Sequence, residues 1–300
     1  MVEAIHTAGL TKNYGDTLAL DGLDLDVQAG EVFGFLGPNG AGKTTTIRLL
    51  LDVLRPTSGH ATVLGLDPRT DGVELRKRIG YLPGDFVVDG RQSPRDFLTY
   101  LANLRGGLPA STYETIAERL GLDLDNRIGS LSKGNRQKVG LTQAFMHSPE
   151  LLILDEPTSG LDPVVAREFL TMVTEARDSG QTVFMSSHVL SEVQTAADRA
   201  GIIRRGRLIA IDDVDELRAR ALRQVRVVFA SPVTADDFGS IPNLQDITVD
   251  GNVLRGRLVG EADGLVKALG RHHVVDLISE EPQLEELFFH YYTEGDDHAA

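Results

Sequence analysis

Eight consecutive residues, Gly37-Pro38-Asn39-Gly40-Ala41-Gly42-Lys43-Thr44, restrict this chain more than any other stretch of it. They match the spacing G-x-x-x-x-G-K-[ST] and lie between an apolar run at Glu31–Leu36 and helically spaced Ile47, Leu50, Leu51 and Leu54. A strand must therefore pass into a helix through a glycine loop. That helix should stop near Arg55-Pro56, because proline disfavours helical backbone in the residue before it. Without Cβ atoms, backbone N–H groups can crowd around an anion, and the positive end of the following helix points at the same place. The stretch from Gly37 to Thr45 is thus expected to cradle phosphates, with Lys43 as a mobile cation for the β- and γ-phosphates and the Thr44 hydroxyl as a magnesium ligand.

A second segment supplies the complementary charge. Leu151-Leu152-Ile153-Leu154-Asp155-Glu156 ends a continuous apolar run with two carboxylates, an arrangement costly in a buried strand unless a cation or hydrogen bonds stand nearby. Mg²⁺ relieves that cost. Asp155 would hold the ion, usually through water, and Glu156 would serve as general base for an attacking water.

In their order along the chain these segments and four others resemble the ATP-binding cassette (ABC) ATPases over roughly residues 1 to 215. Leu131-Ser132-Lys133-Gly134-Asn135 stands where that family has its LSGGQ signature, Ser159-Gly160-Leu161-Asp162 resembles the D-loop, His188 after Ser186-Ser187 resembles the switch histidine, and Tyr14 lies where an aromatic ring meets adenine. The resemblance implies an α/β P-loop cassette, residues 1–220, with an inserted helical subdomain at about 86–148. It also implies ATP and Mg²⁺ as ligands and a head-to-tail homodimer. There Ser132, Lys133, Gly134, Asn135 and Asp162 would face a nucleotide held by the opposite subunit, and His188 would reach the γ-phosphate. The physics of the signature repeats that of the glycine loop: Ser132 and Gly134 would open a helix running to about His147, its N-terminus aimed at phosphate.

Two departures stand out. Lys133 replaces the first signature glycine and Asn135 the glutamine; the lysine either attracts the γ-phosphate or is a solvated side chain. At the expected Q-loop, Tyr81-Leu82-Pro83-Gly84-Asp85, Gly84 takes the place of glutamine, and Asp85 is a candidate for part of its magnesium role. Both look like variants of drug and antibiotic exporter ATPases, including the daunorubicin-resistance type. The resemblance therefore implies an ATPase subunit that powers export through a separately encoded ABC-2 type permease. The alternatives are a nucleotide-gated regulatory module and a non-transport ABC ATPase. A guanine-specific switch protein is disfavoured, because no Asn-Lys-x-Asp base-reading motif occurs.

Composition narrows the rest. Thirty basic against forty-four acidic residues leave a net charge of −14, unsuited to a main partner rich in phosphodiester, and the chain has no cysteine for disulfides, thiolate metal sites or thiol nucleophiles. No run of 18 apolar residues occurs and the start lacks a secretory signal pattern, so no membrane insertion is expected; the chain is expected to be cytoplasmic, peripheral at the inner face of the cell membrane. Phe97, Leu101 and Leu104 are read as one helix face in the inserted lobe. Beyond a helix at Asp215–Leu222, residues 222–292 read as a small α+β domain and 293–300 as a disordered tail. Its last helix, Gln283–Tyr291, carries an apolar stripe of Leu284, Leu287, Phe288 and Tyr291, with core packing its expected use. His272-His273 is read as non-metal, since neighbouring residues do not face together.

Overall fold

The structure, a computed structural model, describes residues 2–216, 222–241 and 243–280, which fall into two compact units, Met1–Asp212 and Asp213–Ala300. The first unit runs β1 (Glu3–Tyr14), β2 (Thr17–Gln28), β3 (Val32–Leu36), α1 (Lys43–Leu50), β4 (Ser58–Val63), α2 (Gly72–Arg78), β5 (Ile79–Leu82), α3 (Pro94–Leu104), α4 (Ser111–Arg119), α5 (Lys133–Phe145), β6 (Leu151–Asp155), α6 (Pro163–Asp178), β7 (Thr182–Ser187), α7 (Leu190–Ala196), β8 (Arg199–Arg204) and β9 (Arg207–Asp213).

Two sheets form. The order β2-β1-β4 is antiparallel, and its buried side chains Leu20, Leu23, Leu25 and Val27 skip a beat between 20 and 23. Gly22, with φ 61°, absorbs the extra residue at a register shift, so strict alternation resumes on the same face. The other sheet has order β5-β6-β7-β3-β8-β9, and its central strands β3, β6 and β7 are buried along their whole length, which is why they read as unbroken apolar runs. From β5 to β8 every pairing is parallel. Arg205 and Gly206, both at positive φ, turn β8 into β9 as a two-residue hairpin requires. The carboxyl ends of β6, β7 and β3 consequently sit side by side, and they deliver Asp155, the residues after Ser187, and the glycine loop to one edge.

Between β5 and β6 the chain inserts α3, α4 and α5. A reciprocal Ser93–Asp96 capping box starts α3, whose fully buried side chains are Leu98 and Ala102. Phe97, Leu101 and Leu104 share one face of α3, as their spacing predicts, and its cover falls off along the helix: Phe97 and Leu101 are partly buried, whereas Leu104 in the last turn is 66% exposed. Sequence patterning also passes over α2, the polar β4 and the four-residue β5.

The second unit holds β10 (Leu222–Phe229), β11 (Leu244–Asp250), β12 (Val253–Val259), α8 (Asp263–Leu269) and β13 (Val274–Ser279) in an antiparallel sheet of order β11-β12-β10-β13. This is the strand order of a split βαβ unit, with a single turn of 3₁₀ helix at Ala235–Asp237 where a first helix would stand. One face of the sheet, Val225, Val227, Phe229, Leu254 and Leu258, packs under Leu265 and Leu269 of α8 and under Phe238 and Ile241. Leu222 begins a strand, so the helix expected at Asp215–Leu222 does not reach it; residues 217–221 lie outside the described residues. The Gln283–Tyr291 stripe and the 293–300 tail also lie outside them.

Candidate active site

The glycine loop leaves β3 and closes on α1 through two left-handed glycines, Gly40 (φ 80°) and Gly42 (φ 117°). At Gly42 a Cβ would stand 2.9 Å from the Ala19 carbonyl oxygen, so a side chain there would be both strained and crowded. Ala19, Pro38, Asn39, Gly40, Gly42, Lys43, Thr44, Thr45 and Glu156 line a cavity of about 170 Å³ at the N-terminus of α1. Lys43 is buried, yet its Nζ donates to the Gly37 carbonyl at 2.5 Å and the Pro38 carbonyl at 3.3 Å and stands 3.1 Å from Glu156 Oε1.

Asp155 is fully buried and accepts at both oxygens, from Thr44 Oγ1 at 2.8 Å and from Ser186 Oγ at 2.6 Å. The next residue departs from the strand. Glu156 has φ 49°, and its N–H is held by the Ser186 carbonyl at 3.2 Å and the Ser186 hydroxyl at 3.1 Å. That left-handed turn swings its carboxylate from the buried strand toward the phosphate loop, with Oε2 2.6 Å from His188 Nδ1. Oε1 is buried, lies out of line for a hydrogen bond from Lys43, and accepts none from any other group. The residues fit triphosphate and Mg²⁺: Thr44 and Asp155 present oxygen only, the donor set of a hard cation, and Glu156 Oε1 is an unsatisfied buried acceptor beside them.

Ser132 caps α5, its Oγ accepting from the Asn135 N–H at 3.2 Å, and the helix N-terminus is exposed. None of the described hydrogen bonds joins Ser132–Asn135 to Gly37–Thr45 of the same chain. The signature packs instead on its own D-loop. A Cβ on Gly134 would collide with the Gly160 carbonyl oxygen, and Lys133 lays its stem along Gly160 and donates from Nζ to Ser159 Oγ at 3.0 Å. Asp162 caps α6, accepting from the Val164 and Val165 N–H groups at 3.0 Å each, and those bonds hold its carboxyl below the usual range. Its carboxylate is taken up by the helix.

Asp85 is exposed and makes no hydrogen bond or ion pair among the described residues. Gly84 is the residue that abuts Asp155: a Cβ there would lie 3.0 Å from Asp155 Oδ2, so the slot has no room for a glutamine stem without movement. Tyr14 ends β1, 44% exposed, with Lys12 Nζ 5.4 Å from its ring centroid. Its hairpin partner strand carries Ala19 into the phosphate cavity.

The family model for ABC transporters matches residues 20–159. The bacitracin transport ATP-binding protein of Bacillus licheniformis is 38% identical over 226 residues, covering 73% of this chain and 73% of that one. The daunorubicin/doxorubicin resistance ATP-binding protein of Streptomyces peucetius is 39% identical over 221 residues, 72% and 67% of the two chains. This chain belongs to the ATP-binding proteins of ABC transporters. A solved ATP-binding subunit of an ABC transporter superposes with a TM-score of 0.66 at 28% identity over 72% of this chain and 92% of that one.

Sequence reasoning passed over several residues that shape the site of this ABC ATPase. Gln137, 3% exposed on α5, donates from Nε2 to the carbonyls of Glu156 (3.2 Å) and Pro157 (3.0 Å), which ties the signature helix to the backbone of the left-handed turn. Ser186 braces Asp155 and Glu156 together. Gln143 bonds the Tyr81 carbonyl, joining α5 to the segment that carries Gly84. Glutamines on a helix carry no periodic signal of their own, and Gln137, flanked by Arg136 and Lys138, reads as a surface residue until its buried amide is seen to need partners. No helix of the ABC ATPase, among the described residues, is long and apolar enough to cross a membrane.

Proposed function

We propose that this ABC ATPase binds ATP with Mg²⁺, hydrolyses it, and powers export of a small drug-like, antibiotic or lipid-like molecule through a separate ABC-2 type permease at the inner face of the cell membrane. The observation that carries the hydrolytic reading is Glu156: a carboxylate turned off its strand by a left-handed backbone, one oxygen held by His188 and the other a buried acceptor beside Lys43. In this reading Thr44 and Asp155 would hold Mg²⁺, which would supply Lewis-acid stabilisation of the phosphate charge when bound. Lys43 exchanges the Gly37 and Pro38 carbonyls for phosphate oxygens. Glu156 orients the attacking water and accepts its proton, and His188 keeps the carboxylate aimed. Tyr14 stacks on adenine.

The exposed N-terminus of α5, already capped by Ser132, supplies amides to a nucleotide held by a second copy, so two chains close head to tail around two ATP molecules. Lys133 and Asn135 belong to that surface. Asp162 acts on it indirectly, by capping the helix behind the D-loop. The permease docks in the groove of about 470 Å³ lined by Leu51, Val53, Tyr81, Pro83, Phe86 and Arg105, where an apolar helix of the partner can reach the segment that ends at Gly84 against Asp155. Sedimentation of Glu156→Gln with ATP and Mg²⁺, alone and beside the permease, tests the pairing: a dimer is expected, and a strict monomer in both conditions overturns it.

A further inference from the structure

Among the described residues, only one face of the second unit's sheet is covered. On the other, β12 presents Arg255 and Arg257 and β10 presents Gln224 and Arg226, and the register sets Arg226 directly opposite Arg255 and Gln224 opposite Arg257. Like charges facing each other across adjacent strands repel, and the local pairing relieves this only in part. The two flanking arginines have loose partners: Arg226 lies 3.6 Å from Asp276 and Arg257 lies 3.5 Å from Asp246. Neither contact is a hydrogen bond. The side chain of Arg255, between them, has no hydrogen bond or ion pair among the described residues.

The arginines surround a real concavity. Together with Gln224, Asp246, Ile278 and Glu280 they line a cavity of about 380 Å³, floored by the backbone of Val225 and Gly256. Asp246 has φ 51° at the register shift of β11, which bends that strand and hollows the face. The described residues of this face offer no aromatic ring for stacking bases, which disfavours single-stranded nucleic acid. In a chain of net charge −14, three guanidinium groups gathered on one concave face with most of their donors unused are complementary to a compact anion.

We infer that the open face of the C-terminal sheet binds a small polyanion, a molecule carrying two or more phosphate or carboxylate groups, with Arg255 as the central donor and Arg226 and Arg257 on either side. Its volume suits a metabolite-sized ligand, and the site is separate from the phosphate loop of the cassette.

The chain has no tryptophan, so Ile278→Trp places a single indole reporter at the cavity wall, on an exposed strand position that tolerates a large aromatic. The full chain carrying this reporter, free of nucleotide and Mg²⁺, is titrated with inorganic pyrophosphate and separately with citrate at constant ionic strength, so that the indole reads its own cavity. A saturable change in indole emission with either probe is expected. Pyrophosphate alone assigns phosphate groups as the recognised chemistry and citrate alone assigns carboxylates. Adding Arg255→Ala with Arg257→Ala should weaken the apparent affinity at least about tenfold. Folding is checked independently: Arg255→Ala by itself removes the repulsion with Arg226, so its Tm without added anion should equal or exceed that of the parent at low salt. The proposal falls if neither probe gives a saturable response, if the double variant responds unchanged, if Arg255→Ala lowers the Tm, or if only vesicles rich in phosphatidylglycerol move the emission.

Discussion

At the scale of single residues, the site depends on where two side chains are not. Glu156 leaves its strand through a left-handed backbone, and only that turn takes its carboxylate to Lys43 and His188. Glu156→Gln should keep ATP binding and lower the rate of phosphate release roughly a hundredfold or more, measured under saturating ATP and Mg²⁺. Release near the parent rate would remove Glu156 as the base. His147 makes a second prediction. Burial and the nearby Arg105 push its pKa from 6.5 down to about 4, its Nε2 meets the Ile79 carbonyl at 3.2 Å, and its Nδ1 is buried without a partner. Between those values the unfolded chain binds a proton that the folded chain refuses, so the stabilisation present above pH 6.5 is lost as pH falls toward about 4. His147→Asn should flatten that part of a Tm-against-pH profile; an unchanged slope would contradict the assignment.

At the scale of elements, α5 is the hub. Its N-terminus presents the signature, Lys133 and Gly134 fasten it to the D-loop, Gln137 grips the backbone beside Glu156, and Gln143 holds the β5 end of the lobe. Gly134→Ala must push the Gly160 carbonyl away; we expect it to retain nucleotide binding to the phosphate loop and to lose most ATP turnover, read by comparing nucleotide affinity with phosphate release. Equal turnover would show that the D-loop can give without consequence. Ser132→Ala should destabilise by about 1 kcal/mol through the lost cap. The glycine loop, the Asp155-Glu156 strand end and His188 were legible in the sequence because each is a short local pattern tied to the end of a strand. The depth of the α3 face was not, because Phe97 and Leu101 gain cover from distant segments of the lobe and Leu104 in the same row does not. Asp85 was singled out by its charge, whereas the contact with Asp155 belongs to Gly84, which has no side chain to announce it.

At the scale of the whole molecule, family, cassette fold and inserted lobe follow from ordered motifs, while what a groove or an open sheet face receives is encoded in surfaces assembled from distant segments. The groove draws on the turn after α1, on α2, β5 and the segment behind it, on the C-cap residue of α3, and on α5 at once. Phe86→Asp should abolish co-purification with the permease and leave ATP binding by the isolated subunit intact; retained co-purification would move the docking surface elsewhere. Gln137 has a wider consequence for an assembled pair. In the proposed pair, the helix whose tip would clasp a neighbour's nucleotide is bonded, near its start, to the carbonyl of Glu156, the residue proposed to activate water in its own cleft. Two such helices in opposition wire each reaction centre to the other's grip, so a mixed pair with one Gln137→Ala chain should slow at both centres. One broken amide would be felt twice.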